Sequence, residues 1–190
     1  MKTEIEAKLK VDSLQDIAQR LKILGAQNKG DFIQRDTYFD ADEDTLIKSD
    51  RGLRLRQQKS GGTEKVFLTY KGPKQKTKFK SRTEIEVAVS DFATMQELLK
   101  ALGFKTKITF EKKRCLWLLD NCQICLDELP ILGCFIETEG LDEQTIANLL
   151  EKLELSGLDH IDKTYSKLMA DILSESPIGK NQILFETNTA

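Results

Sequence analysis

A chain of 190 residues is long enough for one well-buried core, and nothing in its composition demands a second domain. Lys and Arg number 29 against 31 Asp and Glu, which argues against the net positive field that draws in duplex nucleic acid, so any anion site must be local. Hydrophobic residues make up 39% and charged residues 32%, so either the surface is very charged or charge lies inside. No run of about 18 apolar residues exists, and Met1-Lys2-Thr3-Glu4 lacks the basic-then-apolar plan of a secretory signal, so a cytoplasmic protein without membrane spans is expected.

Thr3 to Lys10 alternates strictly between polar and apolar side chains, the two-residue period of a strand, with its charged members on one face. Asp12-Ser13 then caps a helical pattern of Leu14, Ile17, Ala18, Leu21 and Leu24 that Gly25 stops. Strands are predicted at Gln34 to Phe39, Gly52 to Gln58 and Lys65 to Tyr70, with Gly61-Gly62 as a hairpin turn. Thr83-Glu84-Ile85-Glu86-Val87 repeats Thr3-Glu4-Ile5-Glu6-Ala7, and the helix from cap Asp91 to Leu102-Gly103 repeats the first helix. Separate strands are predicted at Lys105 to Lys112, Arg114 to Leu119 and Gln123 to Glu128, with Asp120-Asn121 as a turn. A third echo follows at Phe135-Ile136-Glu137-Thr138-Glu139, with Asp142 capping a helix that carries Ile146, Leu149, Leu150 and Leu153. A last helix is predicted from about Asp162 to Leu173, and residues 175–190 read as a loosely held tail whose Ile183-Leu184-Phe185 could dock on the body or a partner.

The parity of the strands places Lys8 with Glu4 and Glu6, Arg54 with Arg56, Arg82 with Glu84 and Glu86, and Lys112 with Arg114. The opposite parity is apolar: Ile5, Ala7 and Leu9, then Leu53 and Leu55, then Ile85 and Val87, as for strands packed on helices. Two readings stay open. The charged face can be solvated, or the sheet can close so that the charges converge on a lumen, where unpaired like charges are costly unless a ligand neutralises them. The second reading suits a polyphosphate with its cations, since Arg forks grip phosphate and paired carboxylates hold hard metals.

These residues carry a resemblance. Glu4-Ile5-Glu6-Ala7-Lys8 matches the ExExK signature of the CYTH superfamily of triphosphate tunnel metalloenzymes, which includes class IV adenylate cyclases, thiamine triphosphatases and inorganic triphosphatases. Asp36-Thr-Tyr38-Phe-Asp40, Leu53-Arg54-Leu-Arg56, Thr69-Tyr-Lys71-Gly-Pro, Arg82-Thr-Glu84-Ile-Glu86, Lys112-Lys-Arg114, Leu126-Asp127-Glu, Leu132-Gly-Cys-Phe-Ile-Glu137-Thr-Glu139 and Lys163-Thr-Tyr165-Ser resemble family blocks in family order. Thr138 departs from the more typical aliphatic residue. The resemblance covers residues 1–174, is nearest the class IV cyclase branch, and implies one α+β domain. Its core would be a closed antiparallel β-barrel or tunnel of about eight strands with helices packed outside.

The resemblance also implies roles. Glu4, Glu6, Asp127, Glu137 and Glu139 would hold Mg2+ or Mn2+. Lys8, Arg54, Arg56, Lys71, Arg82, Lys112 and Arg114 would grip the phosphate chain, with Glu84 and Glu86 on the same face. Lys8, Arg56, Lys112, Arg114 and Asp127 would carry catalysis, which here is positioning and charge neutralisation. The substrate would be ATP, converted to cyclic AMP and pyrophosphate; the alternatives are hydrolysis of thiamine triphosphate or tripolyphosphate, or a sensor without turnover. Homodimers are common among the cyclase-like relatives, so a homodimer is one expectation. Removing Glu4 or Arg56 is expected to abolish turnover with the fold intact.

Other residues read plainly. Cys122-Gln-Ile-Cys125 has zinc-knuckle spacing but falls on a strand that sends the two thiols to opposite faces, so reduced, partly buried thiols are expected. His160 reads as a surface or capping residue, Trp117 as packing, and Lys74, Lys76, Lys78 and Lys80 as a solvated loop.

Overall fold

The computed structural model describes residues 2–75, 79–175 and 181–186, with the backbone alone described at 2–4 and 80. In chain order the elements are β1 (Lys2–Lys10), α1 (Leu14–Ile23), β2 (Gln27–Asp40), a 3-10 turn (Asp42–Asp44), α2 (Thr45–Lys48), β3 (Gly52–Ser60), β4 (Thr63–Lys71) and β5 (Lys80–Val89). There follow α3 (Phe92–Ala101), β6 (Lys105–Leu119), β7 (Cys122–Leu129), β8 (Gly133–Gly140), α4 (Glu143–Lys152), α5 (Tyr165–Glu175) and β9 (Gln182–Ile183). The strands are hydrogen-bonded in the order β2-β3-β4-β5-β1-β8-β7-β6-β9, and β2 also pairs with β6, which closes the long strands into one sheet. The fold is α+β, a closed antiparallel sheet with helices packed against it.

The three strand-helix echoes are real. Helices α1, α3 and α4 each follow a strand, and each is capped by a side chain that accepts from an amide three residues on: Ser13 from Asp16 at 3.2 Å, Asp91 from Thr94 at 2.7 Å, and Asp142 from Thr145 at 2.7 Å. Each ends at a leucine followed by a left-handed residue, Gly25 at φ 76°, Gly103 at φ 89° and Glu154 at φ 57°. The next amide then reaches back to the helix, from Ala26, Phe104 and Leu155. Gly61-Gly62 and Asp120-Asn121 both place two consecutive residues at positive φ, the two-residue hairpin turn whose twist suits the strands.

The chain forms two compact units, and β2, β5 and β6 contribute residues to both. Unit 1 takes residues 1–32, 74–83 and 113–162. Its core joins Ala7, Leu9, Ile124, Leu126 and Ile136 from one sheet face to Ile17 and Leu21 of α1 and Ile146, Leu149 and Leu150 of α4. Trp117 lies in this core at 3% exposure, so its role is packing. Unit 2 takes residues 33–73, 84–112 and 163–190, and its smaller core joins Phe39, Leu55 and Val66 to Leu99 of α3.

Several expectations are corrected. Lys105 to Leu119 is one continuous strand: Lys113 is an exposed strand residue between buried Lys112 and half-buried Arg114, and no turn residue interrupts it. β2 begins seven residues earlier than its apolar pattern, at Gln27. The tail patch docks on the body, one of the two placements expected for it: Gln182 and Ile183 pair in parallel with Thr109 and Phe110, Ile183 is buried, and the Phe185 amide donates to Glu111 Oε2 at 3.2 Å. Ile85 and Val87 were expected beneath helices, yet they are 46% and 51% exposed; of the outer face of β5 it is Val89 that packs into the cluster around Leu99 of α3. His160 is exposed, its ring edge-on to Phe79 at 4.8 Å. Lys74 donates to the Asp162 carbonyl, while Lys76, Lys78 and the Lys80 side chain lie outside the described residues.

Candidate active site

In unit 1 the register of β1 on β8 sets Glu6 opposite Glu139 and Lys8 opposite Glu137, and that of β7 on β6 sets Asp127 opposite Arg114. The residues between them on these strands point into the apolar core, so all of these side chains take the other face. That face is enclosed. Glu6, Lys8, Glu137 and Asp127 are buried, Asp127 completely, and Arg82 of β5 is buried as well. The solvated-sheet reading is therefore overturned by burial of the very residues it needed in water.

Arg114 forks onto both oxygens of Asp127 at 2.7 and 2.5 Å and also reaches Glu137. Lys8 Nζ lies 3.1 Å from Glu137 and 3.7 Å from Glu6. Burial would pull the Arg114 pKa down, but Asp127 and Glu137 together hold it well above its ordinary value. Gln123 donates to Glu139 at 3.4 Å. Glu4 occupies β1, but its side chain lies outside the described residues.

In unit 2 the register of β2 on β3 sets Asp36 opposite Arg56 and Tyr38 opposite Arg54. Arg56 forks onto Asp36 at 2.6 and 2.7 Å, and Asp36 is 1% exposed. Burial alone would raise the Asp36 carboxyl; the charge and hydrogen bonds of Arg56, with Arg54 and Lys112 behind, hold it below the usual carboxylate range. Arg54 Nη2 donates to Thr69 at 3.0 Å and to Glu86 at 3.3 Å, and Thr69 donates to Glu86 at 2.7 Å. Lys71 pairs with Glu84. Lys112 is buried with its ammonium 5.0 Å from the centre of the Tyr165 ring. Among the described residues the buried Arg54 Nε has no hydrogen-bond partner, a donor left for a further acceptor.

Sequence reasoning missed Asp36 as a member of this cluster, along with Thr69 and Tyr165. Asp36 stood inside a quoted block, but nothing in the sequence sets it across from Arg56 until the strands are in register. Asp40 of the same block is structural: its carboxylate accepts from the amides of Leu46 and Ile47 at 2.9 and 2.8 Å and so anchors α2. Arg56 also acquires a structural duty, since its loss would leave Asp36 charged and buried, and the expectation that the fold survives Arg56→Ala is revised accordingly.

The donor chemistry of unit 1 fits a hard divalent cation, with carboxylate oxygens from Glu6, Asp127, Glu137 and Glu139 on neighbouring strands. Among the described residues no three of these acids, or of His and Cys, converge as a ready-made cage, because Asp127 and Glu137 are engaged by Arg114. Cys122 and Cys125 are free, buried thiols on opposite faces, Cys122 in the core, and burial raises both above their ordinary pKa. No helix among the described residues is long and apolar enough to cross a membrane.

An α+β protein with a closed antiparallel sheet whose inner strand positions bury acids and bases defines the class. Residues 2–165 match the CYTH domain, and the chain belongs to the CYTH family. It is 31% identical over 181 residues to the Methanocaldococcus jannaschii protein named "Putative adenylate cyclase MJ0240", covering 95% of this chain and 93% of that one. The structure of PH1819 from Pyrococcus horikoshii OT3 superposes with a TM-score of 0.76 at 32% identity, over 89% of this chain and 99% of that one. The Hippeastrum protein HpAC1, an adenylyl cyclase by name described as having a dominant triphosphatase activity, matches at 18% identity with a TM-score of 0.66, over 94% of this chain and 98% of that one, a likeness of fold.

Proposed function

We propose that this protein is a divalent-metal-dependent enzyme acting on a triphosphate, with ATP as substrate and cyclic AMP and pyrophosphate as products. The observation that carries the triphosphate is the buried base cluster of Arg54, Arg56 and Lys112, with the Arg54 Nε donor unsatisfied. Burying that much positive charge costs several kcal/mol per ion unless anions repay it; Asp36 answers Arg56 and Glu86 answers Arg54, and a bound phosphate chain would add to them. Guanidinium forks match phosphate oxygens, so Arg54 and Arg56 would hold the chain and Lys112, steadied over Tyr165, would add a point charge.

Glu6 and Glu139, set opposite each other, would hold the cation, with Glu137 and Asp127 exchanging between Arg114 and the metal. When bound, Mg2+ or Mn2+ would neutralise phosphate charge and orient the chain for in-line displacement. In the cyclase reading the ribose 3′ oxygen loses its proton, bonds to the α-phosphorus, and the bond to the β-phosphate bridging oxygen breaks as pyrophosphate leaves. The name of the Methanocaldococcus relative supports this reading.

A second reading, hydrolysis of the terminal phosphate of tripolyphosphate or thiamine triphosphate by water, is supported by the dominant triphosphatase activity ascribed to the Hippeastrum protein. The test is a product assay on purified protein with Mg2+ or Mn2+, offering ATP, thiamine triphosphate and tripolyphosphate in parallel. Cyclic AMP with pyrophosphate is the expected outcome. Orthophosphate would replace the cyclase by the hydrolase, and no product from any substrate would leave a sensor.

A further inference from the structure

Three bases of unit 2 have an acid in their own row across the sheet, and the rows differ in how far away that acid stands. Asp36 is directly opposite Arg56 on the neighbouring strand, and Glu84 is directly opposite Lys71. Both pairs close without an intermediary, Arg56 by a fork at 2.6 and 2.7 Å and Lys71 by its ammonium. In the row of Arg54 neither neighbouring strand offers an acid. The register sets Tyr38 of β2 on one side and Thr69 of β4 on the other, and Glu86 of β5 lies one strand further, opposite Thr69. Neighbouring strands are about 4.8 Å apart, so the backbones of Arg54 and Glu86 are separated by about 10 Å.

Thr69 fills that gap. It is fully buried, accepts from Arg54 Nη2 at 3.0 Å and donates to Glu86 Oε2 at 2.7 Å, while Arg54 reaches the same Glu86 oxygen by a single contact of 3.3 Å. A carboxylate only accepts and a hydroxyl has one proton to give, so Glu86 takes the Thr69 proton and the lone pairs of Oγ1 turn to the guanidinium. The branched threonine side chain is stiff at χ1, so this acceptor is fixed in place. Arg54 is thereby held through Nη2, whereas Arg56 commits both Nε and Nη2 to Asp36. The buried Arg54 Nε, without a hydrogen-bond partner among the described residues, stays available. On the triphosphate reading above, we propose that Thr69, oriented by Glu86, is a positioning residue of the phosphate site: it fixes the Arg54 guanidinium with its Nε–H turned to a phosphate oxygen. Arg54 is then the arginine whose fork is open to the chain, and Arg56 the one whose fork is closed by the protein.

The experiment is calorimetric titration of the full chain with inorganic tripolyphosphate and with ATP, first in EDTA, where metal-dependent turnover cannot consume the titrant, and then with Mg2+. Two variants separate the parts of Thr69: Thr69→Val keeps the shape and removes the hydroxyl, and Thr69→Ser keeps the hydroxyl and removes the methyl. Thr69→Val should weaken binding about 10-fold or more, the scale of one hydrogen bond to a charged group, and Thr69→Ser should stay near wild type. If Thr69 only packs, the order reverses, because serine leaves a cavity at a fully buried position. In the Arg54→Gln background Thr69→Val should weaken binding by less than about 2-fold, since the side chain it positions is gone. Equal binding by Thr69→Val and wild type, a larger loss in Thr69→Ser than in Thr69→Val, or full additivity with Arg54→Gln would each overturn the positioning role and leave the triphosphate reading standing. A wild type that neither binds nor turns over tripolyphosphate or ATP, with or without Mg2+, would overturn the triphosphate reading and this role with it.

Discussion

Unit 1 and unit 2 build the same strand-helix design and then part in two respects. On the charged face, unit 1 buries the carboxylates Glu6, Asp127 and Glu137 together with the bases Lys8 and Arg82, and Arg114 forks onto Asp127. Unit 2 buries the bases Arg54, Arg56 and Lys112, with Asp36 on Arg56 and Glu86 on Arg54. On the apolar face, α1 and α4 contribute to the core of unit 1 and α3 to the smaller core of unit 2. A duplicated backbone can therefore keep its caps and turns while its side chains differ; in the proposed function, one copy would hold the cation and the other the phosphate oxygens. Parity decides which face is charged, and residue type at that parity decides the sign.

The largest test of this contrast is Arg56→Ala. It should lower kcat/KM by about 100-fold or more, the scale of losing one preorganised charge donor, and cost about 3 to 5 kcal/mol by leaving Asp36 unpaired in the interior. Steady-state kinetics with denaturant melts would show it; full stability together with lost activity would reduce Arg56 to a ligand contact alone. Asp36→Asn should cost about 3 kcal/mol at neutral pH by stranding the buried Arg56 charge. Because the folded-state pKa of Asp36 is depressed, its contribution is complete above the unfolded value of about 3.9 and is lost as pH falls through the folded value. The advantage of wild type over Asp36→Asn should therefore shrink only below about pH 4.

The apolar faces can be compared by truncation. Leu9→Ala, at a fully buried position of unit 1, should cost about 3 kcal/mol, whereas Val87→Ala, half exposed in unit 2, should change the stability of the monomer by about 0.5 kcal/mol or less. Equal costs in dilute protein would mean that the face of unit 2 is covered within the chain. The charged faces can be compared by kinetics. Glu6→Gln should raise the Mg2+ or Mn2+ concentration for half-maximal activity about 10-fold while moving the triphosphate KM less, and Arg54→Gln should do the reverse, a difference of about 1.4 kcal/mol in each case. If both variants shift the same constant equally, the division of labour fails.

The smallest effect sharpens the account of unit 1. Thr138 is fully buried, and its Oγ1 has no hydrogen-bond partner among the described residues. On the face with Ile136 it is a polar group in an apolar core, so Thr138→Val should gain about 1 kcal/mol in chemical denaturation. No gain would mean that the hydroxyl is satisfied in solution.

Much of this protein was legible before any coordinates. Alternation in Thr3 to Lys10 fixed a strand and its two faces because side chains on a strand alternate with period two. Ser13, Asp91 and Asp142 marked helix starts because free amides need an acceptor, and Gly61-Gly62 and Asp120-Asn121 marked hairpins because few residues tolerate positive φ. The repeat told which helices correspond. These are local rules, and a local pattern suffices for them.

Register was not legible, because it is set by pairing between strands far apart in the chain. Only the folded sheet sets Asp36 on Arg56, Asp127 on Arg114 and Glu6 opposite Glu139, and only burial showed that these charges are shielded from water. The same holds for the docking of Ile183 beside Phe110 and for the exposure of Ile85 and Val87, which read identically to the buried face of β1. Periodicity says which side chains share a face; what covers that face is decided by which distant segments pack there, and that is a property of tertiary structure alone.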